Sequence, residues 1–256
     1  MKISIITITY NSAATLATTL ESVANQDYQD IEHIIVDGLS KDNTIEIVKQ
    51  YPHVSKWVSE KDKGLYDALN KGIKMATGDI IGLIHSDDFL ASNDAVSKIA
   101  KAFQENNTDS IIGDISFVNP NNLQKVIRHY SSKTWNPKKF AKGYMPAHPA
   151  FYCKRELFEK YGYYKMGYKI AADYELLIRF LYTHKVSYKY IPETIVYMRT
   201  GGTSNESFKS RVILNQEIVK ACAENGIKTN MLKLSLKYGN KVFEYVKPML
   251  NNLFRK

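Results

Sequence analysis

Cysteine is scarce in this sequence: two in 256 residues, Cys153 and Cys222, far apart and without paired spacing. That excludes a disulfide scaffold or a cysteine-rich zinc site and fits a reducing compartment. Long apolar runs are missing too, and none approaches the ~20 residues that cross a bilayer. The opening "MKISIITITYNS" alternates Ile with Ser and Thr, which suits a first strand better than a signal peptide. The expectation is a cytoplasmic protein. Two glycine signatures are also absent. No G-x-G-x-x-G follows the first apolar run, and no G-x-x-x-x-G-K-[ST] occurs anywhere. Dinucleotide binding and phosphate cradling by a P-loop therefore lose their main support.

Apolar residues make up 44% of the chain, enough for one substantial α/β domain or two small ones. The net charge of +9 raises the question of nucleic acid or an anionic surface. Its distribution answers part of it: residues 227–256 hold seven basic groups against one acid, so the basicity belongs mainly to the C-terminal tail. With carboxylates elsewhere and no recognition motif, a nucleic-acid partner ranks last.

Strand and helix patterns alternate through about residue 118. "ISIITIT" (3–9), "IEHIIVD" (31–37), "VSKWVS" (54–59), "DIIGLIH" (79–85) and "SIIGDISFV" (110–118) read as strands. Between them, 13–26, "TIEIVKQY", 64–76 and 93–104 carry helical spacing; in the third, Leu65, Ala68, Leu69 and Ile73 share a face. Such alternation predicts a mostly parallel, Rossmann-like sheet flanked by helices. Beyond 118 the alternation weakens, although "ADYELLIRFLYTH" (172–184) is a clear amphipathic helix.

Polar and acidic residues recur where these strands end: Thr9-Tyr10-Asn11, Asp37-Gly38, Glu60-Lys61-Asp62 and Asp87-Asp88. In an open parallel sheet, ligands bind in the crevice beyond the carboxyl ends of the strands. One such Asp is best read as a turn former or helix cap. The set of four describes a site. Adjacent carboxylates such as Asp87 and Asp88 need a compensating charge, whether a metal ion, a lysine or water. A carboxylate-rich site without a glycine nest meets phosphate through a cation, and a hard divalent ion, Mn²⁺ or Mg²⁺, suits it.

The series "TITYNS", "VDGLSKDNT", "SEKDKGLYDALNKGI", "ATGDIIGLIHSDD", "HPAFYCKRELFEKYGYY", "KIAADYELLIR", "MRTGGTS" resembles the family 2 glycosyltransferases of the GT-A type, the nucleotide-diphospho-sugar transferase fold. The resemblance covers residues 1–204, with a nucleotide-sugar half (1–118) and an acceptor-side half (119–204); residues 205–256 form a C-terminal helical extension. It implies inverting transfer from a nucleotide-activated sugar, a UDP-sugar first among them, to a glycan or lipid-linked acceptor, such as a precursor of a bacterial surface polysaccharide. Thr9 and Tyr10 would lie beside the base, Asp37 would accept from base or ribose, and Asp62 would face the base. Lys63, Asp67 and Asn70 fall on the donor side. Asp88 is carried over as metal ligand, with Asp87 as a second ligand or ribose contact. Asp173 matches the catalytic base; without the resemblance it reads as a helix cap. His148 lies on the acceptor or metal side, or is structural. Arg199 with "TGGTS" matches a lid over the donor diphosphate, or an ordinary turn. Two departures stand out. His85 occupies a position where the family often has an acid, and Leu69 stands where many members carry Arg before the Asn, leaving Lys63 or Lys71 to meet the phosphate.

In the tail, Leu232, Leu236, Phe243, Val246, Leu250 and Phe254 share one helical side, and Lys233, Lys237, Lys241, Lys247 and Arg255 an adjacent one. Such a helix, with a break at Pro248, suits a peripheral position on an anionic membrane surface through 228–256, or packing on the body or on a second copy. A homo-oligomer stays open. The competing function is a non-catalytic nucleotide-sugar-binding protein on the same fold.

Overall fold

The computed structural model describes residues 1–201 and 208–235. Its first half is built as the alternation predicts: β1 (Ile3–Thr9), α1 (Leu16–Ala24), β2 (Ile31–Asp37), α2 (Thr44–Val48), β3 (Val54–Ser59), α3 (Leu65–Met75), β4 (Ile80–Leu83) and α4 (Ala95–Asn106), with a two-residue β5 (Phe89–Leu90) before α4. Then come β6 (Ser110–Asn119), β7 (Asn122–Tyr130), β8 (Phe151–Lys154), α5 (Glu156–Tyr161), α6 (Ala172–Ile178), β9 (Tyr188–Arg199) and α7 (Phe208–Glu224).

One nine-stranded sheet runs through both halves in the order β3-β2-β1-β4-β8-β6-β9-β5, with β7 paired to β6. The first four strands are parallel. The sheet departs from simple alternation at β6, which does not follow β4. Antiparallel β8 lies between them, pairing Ile81 with Cys153 and Ser110 with Cys153 on its two edges. Gly82 makes this possible: a Cβ there would sit 2.0 Å from the Tyr152 ring, which crosses β4 at that point.

Side chains of β1 alternate between the two cores, as strand geometry requires. Ile6 and Ile8 pack with Leu69 and Ile73 of α3, whereas Ile3 and Ile5 pack with Val96 and Ile99 of α4. Leu65 corrects the expected helix face: it is 47% exposed, while Tyr66, Ala68, Leu69 and Ile73 are buried, so the buried face of α3 begins one residue later. Asn107 closes α4 in a left-handed conformation (φ 42°). The helix expected over 172–184 is α6 continued by a π-turn, Arg179–Thr183. Both cysteines are buried and free. Among the described residues, no helix is long and apolar enough to cross a membrane. Residues 202–207 of the expected lid and 236–256 of the tail lie outside the described residues.

Candidate active site

The strand-end residues do meet at one edge of the sheet. At the end of β1, Thr9 is buried with an unpartnered Oγ1, and Tyr10 beside it is 58% exposed. Asn11 (φ 48°) and Leu39 (φ 65°) both hold left-handed conformations that cost L-residues energy. Gly38 donates its N–H to the Thr9 carbonyl at 2.9 Å, tying the first two loops together. A Cβ on Gly38 would fall 2.5 Å from Asp62 Oδ2 and 3.4 Å from the Tyr10 ring. Tyr10, Gly38 and Asp62 therefore lie together at this edge. Asp62 is aimed by the Gly64 N–H, 2.8 Å from Oδ1.

Asp37 is fully buried and serves the loop directly. Its carboxylate accepts from the Ser40 N–H (2.9 Å), the Ser40 hydroxyl and the Ser59 hydroxyl (2.6 Å). Asp67 accepts from the Lys63 N–H at 3.0 Å and pairs with Lys71 at 3.6 Å, while Lys71 also binds Glu60 at 2.8 Å. Of the two lysines considered for phosphate, Lys71 is thus engaged, and Lys63 is exposed. Leu69 is buried in the core. Asn70, expected on the donor side, also serves as a tether. Its amide donates to the Tyr164 carbonyl and accepts the Tyr164 N–H, each at 2.9 Å, joining α3 to the segment after α5.

Beyond β4 lie His85, Ser86, Asp87 and Asp88. Thr19 Oγ1 donates to the Asp88 carbonyl at 2.6 Å, and the Ser86 and Ser12 hydroxyls meet at 2.8 Å, so the first crossover helix and its loop fix this turn. Asp88 is 1% exposed, and neither carboxylate oxygen has a hydrogen-bond partner. Burial, then the charge of Asp87, holds its carboxyl well above the usual range, opposed by Arg199. Such an orphaned buried carboxylate costs free energy unless a cation or proton arrives. Arg199, at the end of β9, donates to the Asp87 carbonyl and lies 5.4 Å from the Phe89 ring. No three His, Cys, Asp or Glu side chains converge as a cage among the described residues. The donor set that is present, one buried carboxylate without a partner and a second beside it, fits Mn²⁺ or Mg²⁺, which complete their shell with phosphate and water.

Asp173 sits in the first turn of α6. Its Oδ1 accepts the Tyr174 N–H at 2.7 Å, and burial raises its carboxyl to about 6 against the opposing pull of that bond and of His85. His85 itself is held low by burial and by His148, while Asp87 and Asp173 pull upward. His85 thus shares one neighbourhood with the carboxylates of β4 and α6. His148 is 6% exposed, meets the Tyr164 hydroxyl at 2.8 Å, and is lowered by burial to about 4. It stays neutral at physiological pH, its ring anchored by Tyr164.

One residue at this site gave no sequence signal. Glu217 of α7 accepts three successive backbone N–H groups, of Lys169 (2.6 Å), Ile170 (2.9 Å) and Ala171 (2.9 Å). Those groups form the approach to α6, so a carboxylate from a distant helix holds the loop that presents Asp173.

Comparison with known proteins gives the family. The glycosyl transferase family 2 model matches residues 4–162. The chain belongs to glycosyltransferase family 2. It is 29% identical over 223 residues to a PGL/p-HBAD biosynthesis glycosyltransferase of Mycobacterium tuberculosis, covering 85% of this chain and 82% of that protein. An uncharacterized glycosyltransferase of the same species is 32% identical over 180 residues, covering 69% and 68%. Among solved structures, S. aureus TarS 1–349 in complex with UDP-GlcNAc superposes with a TM-score of 0.70 at 18% identity, over 89% of this chain and 68% of that one. The mannosyltransferase PcManGT of Pyrobaculum calidifontis, with GDP-Man and Mn2+, gives 0.63 at 18%, over 96% and 81%. These two likenesses establish the shared fold. This family 2 member is a glycosyltransferase with the mixed, curled sheet of the GT-A type.

Proposed function

We propose that this enzyme carries out an inverting, divalent-metal-dependent transfer of a sugar from a nucleotide-diphospho-sugar, a UDP-sugar first among the candidates, to a hydroxyl of a glycan or lipid-linked acceptor at the cytoplasmic face of a membrane. The observation that carries this reading is Asp88: both oxygens are buried and unpartnered beside Asp87, at the edge where the sheet receives ligands. In this reading the base lies in a slot against Tyr10, Gly38 and Asp62, Asp37 braces the loop beneath it, and Asp88 with Asp87 would hold the metal. When bound, Mn²⁺ or Mg²⁺ supplies positive charge to the departing diphosphate.

Asp173 then takes the proton of the acceptor hydroxyl on Oδ2, since Oδ1 is held by the Tyr174 N–H. Its raised affinity for a proton, from burial, is what a general base needs near neutral pH. One base acting in a single displacement inverts the anomeric carbon. Arg199, tied to the Asp87 carbonyl, is set to meet the diphosphate. The UDP-GlcNAc bound by TarS and the GDP-Man and Mn2+ bound by PcManGT support a nucleotide-sugar donor and a metal.

The test is calorimetric titration of the protein with UDP, GDP and dTDP, each with Mn²⁺ and with a chelator, alongside Asp88→Ala. Binding of one nucleotide that needs both metal and Asp88 is expected. Metal-independent binding, or none, would overturn the site. A non-catalytic binder would bind but release no nucleoside diphosphate from any donor sugar.

A further inference from the structure

Acids vanish from a long stretch of this chain. Residues 115–155 contain no Asp or Glu and eight Lys or Arg, and residues 225–235 contain two Lys and no acid. The fold brings parts of these two segments together. The 3-10 turn Pro137–Lys142 carries Lys138, Lys139 and Lys142, and Thr229 Oγ1 donates to the Ala141 carbonyl at 2.7 Å. Lys228 and Lys233 flank that contact, and no ion pair between described residues engages any of these five lysines.

Apolar side chains stand among them. Leu232 is 73% exposed and Met231 45% exposed, while Leu234 beside them is fully buried and anchors the segment to the core. The turn is anchored as firmly. Phe140 is buried edge-to-face against Trp135 (5.1 Å) and Tyr174 (5.4 Å), and the Tyr174 hydroxyl donates to the Phe140 carbonyl. Tyr174 directly follows Asp173. The basic face is therefore rigidly coupled to the helix that carries the catalytic base.

We propose that this face, the turn Pro137–Lys142 with residues 227–235, docks on an anionic lipid surface. Lysines around protruding aliphatic side chains match phosphate headgroups over acyl chains. A nucleic-acid surface would use aromatic rings for stacking, and the exposed apolar side chains of this patch are Met and Leu. Docking here holds Asp173 at a fixed height over the membrane, where the hydroxyl of a lipid-linked acceptor emerges. In that purpose the inference rests on the acceptor proposed above; its test does not.

The experiment is cosedimentation of the full chain with vesicles of phosphatidylcholine alone and of phosphatidylcholine with an equal part of phosphatidylglycerol, at low and high salt. Wild type is expected to bind only the anionic vesicles, and less at high salt. The triple variant Lys138→Glu, Lys139→Glu, Lys142→Glu should lose at least ~100-fold in partitioning, at about fivefold for each lysine charge removed, with nucleotide binding by calorimetry unchanged. Lys228→Glu with Lys233→Glu tests the second segment independently should the first variant fail to fold. Three results would overturn the proposal: no binding of wild type to anionic vesicles, both variants binding as wild type does, or tighter binding to a duplex oligonucleotide than to vesicles at equal salt. Absence of nucleotide binding in wild type would instead sink the transferase reading and leave the vesicle result standing.

Discussion

Replacing Asp173 by Asn should make the protein more stable and catalytically inert, and the two effects share one cause. Burial lifts this carboxyl from 3.8 to about 6. A native pKa above the unfolded one means that the folded state binds the proton more tightly. The stability this adds is complete below pH 4 and is lost as the pH rises through 6, where the carboxylate must ionise inside the site. A shift of roughly two units corresponds to about 3 kcal/mol, and about 2 kcal/mol after allowance for the water that reaches a half-buried group. Asn stays neutral and keeps an Oδ1 for the Tyr174 N–H. The variant should therefore match wild type near pH 4, gain through pH 6, and melt ~4–8 °C higher at pH 8. Turnover, followed as nucleoside diphosphate released from the donor, should fall ~100- to 10,000-fold, with nucleotide affinity unchanged. In wild type, kcat/KM should fall below pH 6. A variant no more stable than wild type at pH 8 would refute the desolvated base, and one that keeps a tenth of the turnover would refute its role.

Other outcomes follow from the same geometry. Asp88→Asn removes a buried charge without a partner, so it should raise the melting temperature of the metal-free protein at neutral pH and abolish the Mn²⁺ dependence of nucleotide binding, both measurable on one preparation. Gly38→Ala would press a Cβ against Asp62 Oδ2 and should weaken nucleotide binding by roughly tenfold, the value of one displaced hydrogen bond; unchanged affinity would remove Asp62 from the base slot. Glu217→Ala frees the three N–H groups ahead of α6 and should lower kcat while sparing donor affinity. Glu217→Gln, whose single amide oxygen can accept at most two of the three N–H groups, should recover only part of that loss, and an unchanged kcat in Glu217→Ala would argue against loop positioning.

The first half of the fold was legible because its determinants are local. β-Branched runs give β1, β2 and β4, helical spacing gives α1, α3 and α4, and the acids fall where each strand stops. The rest depends on contacts between residues far apart in sequence. Nothing in "AFYCK" announces that β8 will enter antiparallel between β4 and β6, or that Gly82 exists to admit Tyr152. Asn70 carries the look of a ligand contact, yet its partner is the backbone of Tyr164, 94 residues away. Glu217 lies in an unremarkable helical stretch and meets its three donors 46 to 48 residues upstream. Asp37 is a subtler case. Its place at the site is readable from the strand end, but its burial beneath Ser40 and Ser59 follows only from the pairing of β2 with β3.

Where the fold leaves its costs unpaid is itself informative about function. Five buried side-chain polar atoms among the described residues have no partner, and three of them, Thr9 Oγ1 and both oxygens of Asp88, lie at one sheet edge. Two of the four described non-glycine residues with positive φ, Asn11 and Leu39, frame the same edge. Folded proteins satisfy nearly all buried polar groups and avoid left-handed backbone for residues such as leucine. Chance packing would scatter such defects. Their concentration at the carboxyl end of β1, β2 and β4 is what a preformed site predicts, because a ligand bringing a cation to Asp88 and polar groups to Thr9 would satisfy the orphaned atoms. The destabilisation of the free protein and the affinity for the donor are then the same free energy seen from two states.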